Sequence, residues 1–202
     1  MNAAAQPTSP PSGSPGRRDL ARYVQCFDDA LQPAFCAQLV ESFEQMARFH
    51  ARNGRGVMTQ LEDSAWTELN VNKVADAGMK EFFQGQVLHF LDRYNERLGL
   101  TLPVPTRERM EVLRIKRYFA ESGEQFQPHF DALDYNSNRY LVFLWYLNDV
   151  GEGGETEFPD LDLRVSARAG RLLVFPPYWM FQHAGLPPRS NDKYIISTYM
   201  LF

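Results

Sequence analysis

The feature that most constrains this chain is its change of character after Pro105. From there on, apolar residues gather in short runs rich in β-branched and aromatic side chains: Val112–Phe119, Arg139–Leu147, Leu161–Ser166, Arg171–Phe175 and Lys193–Leu201. Turn signals at Gly151–Gly154, Ala169–Gly170 and Pro176–Pro177 separate them. Runs of that length and composition predict strands. The N-terminal half reads differently. Phe35, Leu39, Val40, Phe43 and Met46 recur at helical spacing over 33–49, with Pro33 suited to a first turn. Phe83, Val87, Leu91, Tyr94 and Leu98 mark a second helix over about 75–98. Between the two, residues 51–74 predict a long loop or short strands, and connections of that length often serve as lids. Helices followed by many short strands predict an α+β fold with a sandwich or barrel in the C-terminal half.

The 202 residues suit one domain. Residues 1–18 are Pro-, Ser-, Gly- and Ala-rich with no aromatic side chain, and predict a disordered tail. Residues 19–202 are then a single domain, with helical support over about 19–105 and the β-rich part over about 106–202. No stretch approaches the ~18 consecutive apolar residues of a membrane helix, and the N-terminus lacks the apolar segment of a secretory signal. Cys26 and Cys36 are too few for a disulfide scaffold or a cysteine metal site. The expectation is a cytoplasmic protein with no membrane partner. The net charge of −4 weighs against nucleic acid as the main partner.

Four histidines occur. His50 and His89 fall on the helical segments and read as surface or packing residues. His129 is followed two positions on by Asp131, in a segment that reads as a strand, where side chains two apart share a face. On its own, His-x-Asp is also what a chance surface pair looks like. His183 is the one other histidine of the β-rich half. Supplied from a separate strand, it completes a two-histidine, one-carboxylate facial triad, which leaves positions open on non-haem iron.

The ordered set of segments from residue 111 to 201 resembles the catalytic domain of the prolyl 4-hydroxylase-like iron(II)/2-oxoglutarate oxygenases. Arg117–Tyr118 leads to Gln127–Pro128–His129–Phe130–Asp131, and Arg139–Val150 runs into Glu152–Gly153–Gly154–Glu155–Thr156. Gly170–Pro176 precedes His183, and Lys193 follows ten residues later. The resemblance implies a double-stranded β-helix, a distorted jelly roll, flanked by N-terminal helices. It implies iron(II) on His129, Asp131 and His183, with 2-oxoglutarate and O2 as co-substrates and ascorbate as a candidate reductant. It assigns the far carboxylate of 2-oxoglutarate to Lys193, because a dianion entering a buried pocket requires a fixed cation. It also aligns Tyr118 with a 2-oxoglutarate-contacting tyrosine, although two extra residues separate Tyr118 from His129. A core tyrosine is the competing reading. Ser197 shares the strand parity of Lys193 and offers a hydroxyl, whereas Leu141–Val142 are apolar where some relatives carry threonine. Glu152–Thr156 reads as a structural turn, and Trp179 and Phe181 as core or pocket wall.

The expected reaction is hydroxylation of an amino-acid side chain, in a peptide, a protein or a small molecule, with release of succinate and CO2. Asp131 favours hydroxylation, since related halogenases lack that carboxylate. Two other readings stay open: a nucleic-acid demethylase of the same superfamily, and a jelly-roll binding module without catalysis. The loops at 51–74 and 132–138 are expected to shape the substrate pocket.

Overall fold

In the strand that runs from Arg139 to Tyr146, alternate residues face opposite ways, and both faces are buried. Leu141, Phe143 and Trp145 join one hydrophobic core, whereas Val142 and Tyr146 join another. A strand buried on both sides must lie inside a layered structure. The computed structural model describes residues 20–107 and 109–202, so the tail expected over 1–18 lies outside the described residues.

Eleven strands are present among these: β1 (Gln25–Phe27), β2 (Ala51–Gly54), β3 (Ala65–Asn70), β4 (Arg114–Tyr118), β5 (Phe126–His129) and β6 (Arg139–Tyr146), then β7 (Thr156–Phe158), β8 (Leu163–Val165), β9 (Leu172–Phe175), β10 (His183–Gly185) and β11 (Lys193–Leu201). They form a seven-stranded sheet in the order β1-β9-β6-β11-β4-β3-β2 and a four-stranded sheet in the order β5-β10-β7-β8. Strands β4 to β11 alternate between the two sheets, apart from the β7–β8 hairpin within the small one, as a double-sheet jelly roll does. The three N-terminal strands widen the larger sheet at both edges.

Helices α1 (Pro33–Gln45) and α2 (Ala77–Leu98) cover the outer face of the large sheet. Helix α2 starts where the Asp76 side chain accepts from the Met79 amide at 2.8 Å, and it ends at Gly99 in the left-handed region, φ 57°. Its buried stripe is Phe83, Val87, Phe90, Leu91, Tyr94 and Leu98. Helix α1 stops four residues short of the expected Phe49. The Met46 amide is shared between the Ser42 and Phe43 carbonyls, which tightens the chain into a 3-10 turn over Ala47–Phe49. Residues 51–74 hold short strands. The β2–β3 hairpin carries Glu68 and Leu69 against β4.

The pocket side of the large sheet is therefore set by parity. On β11, Lys193, Ile195, Ser197 and Tyr199 face the small sheet, and on β4 so do Lys116 and Tyr118. Ile196 and Met200 point to the helices.

Candidate active site

Strands β5 and β10 pair antiparallel with His129 opposite His183. Cross-strand partners share a face, and the two imidazole centroids lie 4.3 Å apart. Asp131 does not stand on the strand expected for it. Strand β5 ends at His129, because the Asp131 and Ala132 amides both leave the ladder and donate to the Pro177 carbonyl at 3.0 Å. The bend still delivers the carboxylate. Asp131 Oδ1 lies 3.6 Å from His129 Nε2, and Oδ2 lies 3.4 Å from His183 Nε2. One ligand atom from each of the three residues lies within 4.8 Å of the others.

Hydrogen bonding fixes which ring nitrogens face inward. His129 Nδ1 lies 2.8 Å from the Gln127 carbonyl, and His183 Nδ1 lies 3.1 Å from that of Phe181. A carbonyl only accepts, so each Nδ1 carries the proton and each Nε2 presents a lone pair. Burial is the main reason His183 is pushed down to about 4, with His129 adding to it, so this imidazole is neutral at pH 7. Burial opposes ionisation of Asp131, but His183, His129 and Arg139 together outweigh it and hold the carboxyl below its usual range. Asp131 Oδ2 is buried with no hydrogen-bond partner. Two ring nitrogens and a carboxylate oxygen thus converge on one point. That donor set, chemistry and orphaned oxygen included, fits a divalent cation.

Above the triad the two sheets enclose a pocket that also reaches the other three expected residues, Lys193, Tyr118 and Ser197. Lys193 and Tyr118 are register partners on β11 and β4, and the Lys193 ammonium sits 5.4 Å from the Tyr118 ring centroid. Lys193 is 2% exposed. Burial lowers its pKa to about 7, against the pull of Glu155 and with a smaller push from Lys116. Burial likewise raises the Tyr118 phenol. Two pocket residues beside them, Val142 and Leu144, are apolar, whereas Leu141 faces the helices.

The pocket also holds residues to which the sequence assigned no part in the site. Thr156 lines it and accepts from the Tyr146 hydroxyl at 2.7 Å. Gly154, at φ 74°, lies where a Cβ would come within 3.5 Å of Lys193 Cδ. The Glu152–Thr156 turn therefore shapes the site as well as the chain path. Tyr199 and Lys116 line the pocket too, and strand parity counted from Ser197 and Tyr118 would have found both. Trp179, expected in the core or wall, is 65% exposed; it lies in a 3-10 turn that buries Phe181 instead. His50 stacks on Phe43 and His89 is exposed, as packing and surface residues.

Outside the triad, a wider cleft of about 410 Å³ shares Phe126, His129 and Asp131 with the inner pocket. Thr59, Gln60 and Leu61 line one side and Leu133 to Asn136 the other. These belong to the two loops expected to shape a substrate pocket.

Residues 113–201 match the 2OG-Fe(II) oxygenase superfamily. Probable prolyl 4-hydroxylase 9 of Arabidopsis thaliana is 28% identical over 138 residues, covering 54% of this chain and 47% of the relative. Probable prolyl 4-hydroxylase 11 of the same plant is 43% identical over 54 residues, covering 27% and 18%. The matched part of the chain spans less than half the length of these curated relatives. Among solved structures, the 2OG complex of the viral collagen prolyl hydroxylase vCPH from Paramecium Bursaria Chlorella virus-1 superposes with a TM-score of 0.63 at 21% identity, over 88% of this chain and 94% of that one. A Trichoplax adhaerens prolyl hydroxylase in complex with a hypoxia inducible factor peptide fragment gives 0.70 at 16% identity, over 89% and 84%. The shared fold is the double-stranded β-helix.

Proposed function

We propose that this chain, whose residues 113–201 belong to the 2OG-Fe(II) oxygenase superfamily, is an iron(II)- and 2-oxoglutarate-dependent dioxygenase that hydroxylates an amino-acid side chain. The observation that carries this reading is the convergence of His129, Asp131 and His183, one ligand atom from each within 4.8 Å of the others, with both Nδ1 atoms turned away to backbone carbonyls and Asp131 Oδ2 left without a partner. Two imidazoles and one carboxylate suit iron(II) with positions left open. Bound there, iron(II) supplies, with 2-oxoglutarate and O2, the oxidising power for C–H hydroxylation, with succinate and CO2 as co-products.

The remaining work falls to the chain. Lys193 meets the far carboxylate of 2-oxoglutarate, and the Tyr118 and Ser197 hydroxyls flank it. Phe126, stacked on His129 at 3.8 Å, and Phe175, 4.7 Å from His183, shield the ligands from water. Tyr199 orients Asp131 from behind. Residues 19–202 act as one catalytic unit. Relatives named as prolyl 4-hydroxylases, and a neighbour holding a peptide, make a peptidyl proline the first substrate to try. No described helix is long and apolar enough to cross a membrane, and the unpaired Cys26 and Cys36 suit a reducing cytoplasm.

The test is succinate formation from 2-oxoglutarate by purified protein with iron(II), O2 and ascorbate, together with the anaerobic iron-to-2-oxoglutarate charge-transfer band. Prolyl peptides are screened alongside for the gain of one oxygen atom. Asp131→Ala should abolish both signals. A wild-type chain that binds neither iron nor 2-oxoglutarate would be a binding module instead.

A further inference from the structure

Two lysines face the pocket, and 2-oxoglutarate accounts for one of them. Its keto-acid end goes to the metal, and its far carboxylate goes to Lys193. Lys116 is left over. It stands on β4 two residues before Tyr118 and opposite Ile195 of β11. It is therefore a diagonal neighbour of Lys193 on the same face, about 7–8 Å away at the backbone. The residue is 9% exposed and lines the pocket.

Among the described residues, the Lys116 ammonium has neither a hydrogen-bond partner nor a carboxylate within 4.0 Å. Its register partner on β3 is an acid, Glu68. That carboxylate accepts at Oε1 from Arg114 at 2.7 Å and at Oε2 from the Trp66 indole at 3.0 Å, and acts on Lys116 only through space. Asp131 is committed to Tyr199 and the triad. A nearly buried ammonium with no directly bonded anion is costly, and an anionic ligand in the pocket would offset that cost.

Its surroundings say where that ligand would sit. The ammonium lies 5.5 Å from the centroids of both Trp66 and Phe126, and Phe126 in turn stacks on His129. One aromatic ring thus separates Lys116 from the triad, and that ring also lines the outer cleft, so the ammonium faces the inner pocket just behind the wall the two share.

We infer that Lys116 is a second anion-binding position, and that the substrate carries a carboxylate a few bonds from the carbon that is hydroxylated. This rests on the oxygenase reading above and narrows its substrate class. The carboxylate is the α-carboxylate of a free or terminal amino acid, or an acidic side chain; both offer the same group to Lys116.

The experiment titrates Mn(II)-loaded, 2-oxoglutarate-saturated protein by calorimetry with two matched pairs. N-acetylproline against N-acetylprolinamide tests an α-carboxylate. N-acetylaspartic acid amide against N-acetylasparagine amide tests a side chain. In at least one pair the acid should bind tenfold or more tighter than its amide. Lys116→Met, which keeps length and apolar stem, should remove that preference and leave 2-oxoglutarate affinity within twofold. Lys116→Arg should keep the preference. No preference in either pair, or a preference that survives in Lys116→Met, overturns the inference. So does a tenfold loss of 2-oxoglutarate affinity in Lys116→Met, which would give Lys116 to the co-substrate. Wild type failing to bind 2-oxoglutarate at all would instead strike the oxygenase reading, and the inference with it.

Discussion

The Tyr199 hydroxyl donates to Asp131 Oδ1 at 2.9 Å. The Arg139 guanidinium lies 3.8 Å over the Tyr199 ring, reaches the Asp131 carbonyl at 3.2 Å, and is held by Glu111 at 2.7 Å. This relay ties one carboxylate oxygen and leaves Oδ2 free for a metal. Tyr199→Phe removes only the tie. Partners that orient a ligand are worth roughly 10–100-fold in metal affinity, so a fall of about tenfold is expected in a Co(II) or iron(II) titration. The melting temperature of the metal-free protein should stay close to wild type. An affinity equal to wild type would show that the bend at Pro177 orients Asp131 unaided.

Lys193→Ala separates co-substrate from metal. Removing one partner of a buried charge pair costs ~3–5 kcal/mol, so 2-oxoglutarate affinity should fall by two or more orders of magnitude. Iron binding should be nearly unaffected. Lys193→Arg should be milder but not neutral, because the guanidinium is broad and planar and the lysine is buried. Following the charge-transfer band during an anaerobic 2-oxoglutarate titration distinguishes the three proteins.

The same lysine predicts a pH dependence. Burial holds its pKa near 7 in the ligand-free protein, below the ordinary 10.5. Above pH 7 the free site loses the charge that the dianion needs. The 2-oxoglutarate Kd should therefore rise by up to about tenfold per pH unit between 7 and 9, and depend little on this group below 7. The stability of the ligand-free fold moves the other way. Between pH 7 and 10.5 the unfolded chain holds a proton that folded Lys193 has released, so this group makes folding more favourable as pH rises. Calorimetric Kd values at pH 6.5 and 8.5, for wild type and Lys193→Met, isolate the contribution.

Two glycines far from the pocket should respond in opposite directions. Gly170 has φ 81°, and a Cβ there would come 2.2 Å from the Leu31 carbonyl, while the Leu31 amide donates to Gly170 O at 3.1 Å. Gly170→Ala should cost about 1–3 kcal/mol in denaturant unfolding. Gly85 lies exposed within α2, and a methyl group there would meet nothing within 4 Å. Gly85→Ala should add about 0.5–1 kcal/mol. Neither change should move 2-oxoglutarate affinity.

The pocket was readable from the sequence to the extent that it follows strand parity. Lys193 and Ser197 share a face because they are four apart on β11, and the same counting extends to Tyr199. Parity did not foretell how Asp131 reaches His183, because that depends on the Pro177 carbonyl capturing two amides 46 and 45 residues earlier in the chain. The edges of the large sheet were also hidden. Ala51–Gly54 has no β-branched residue and is extended only because it pairs with β3. Parity with Tyr118 gives the face of Lys116, but its burial depends on the pairing of β4 with β3, which the sequence did not show.

The antiparallel pairing of His129 with His183 also has a kinetic consequence. Strands β5 and β10 are neighbours in space, yet β6 to β9 come between them along the chain. Pairings across such sequence separations carry a loop-closure cost and are slow to form. A slip of one residue would turn His183 to the opposite face. A metal ion spanning this seam would therefore work as a clasp: it would fasten only on the native register, and would have to let go before the jelly roll could come apart there.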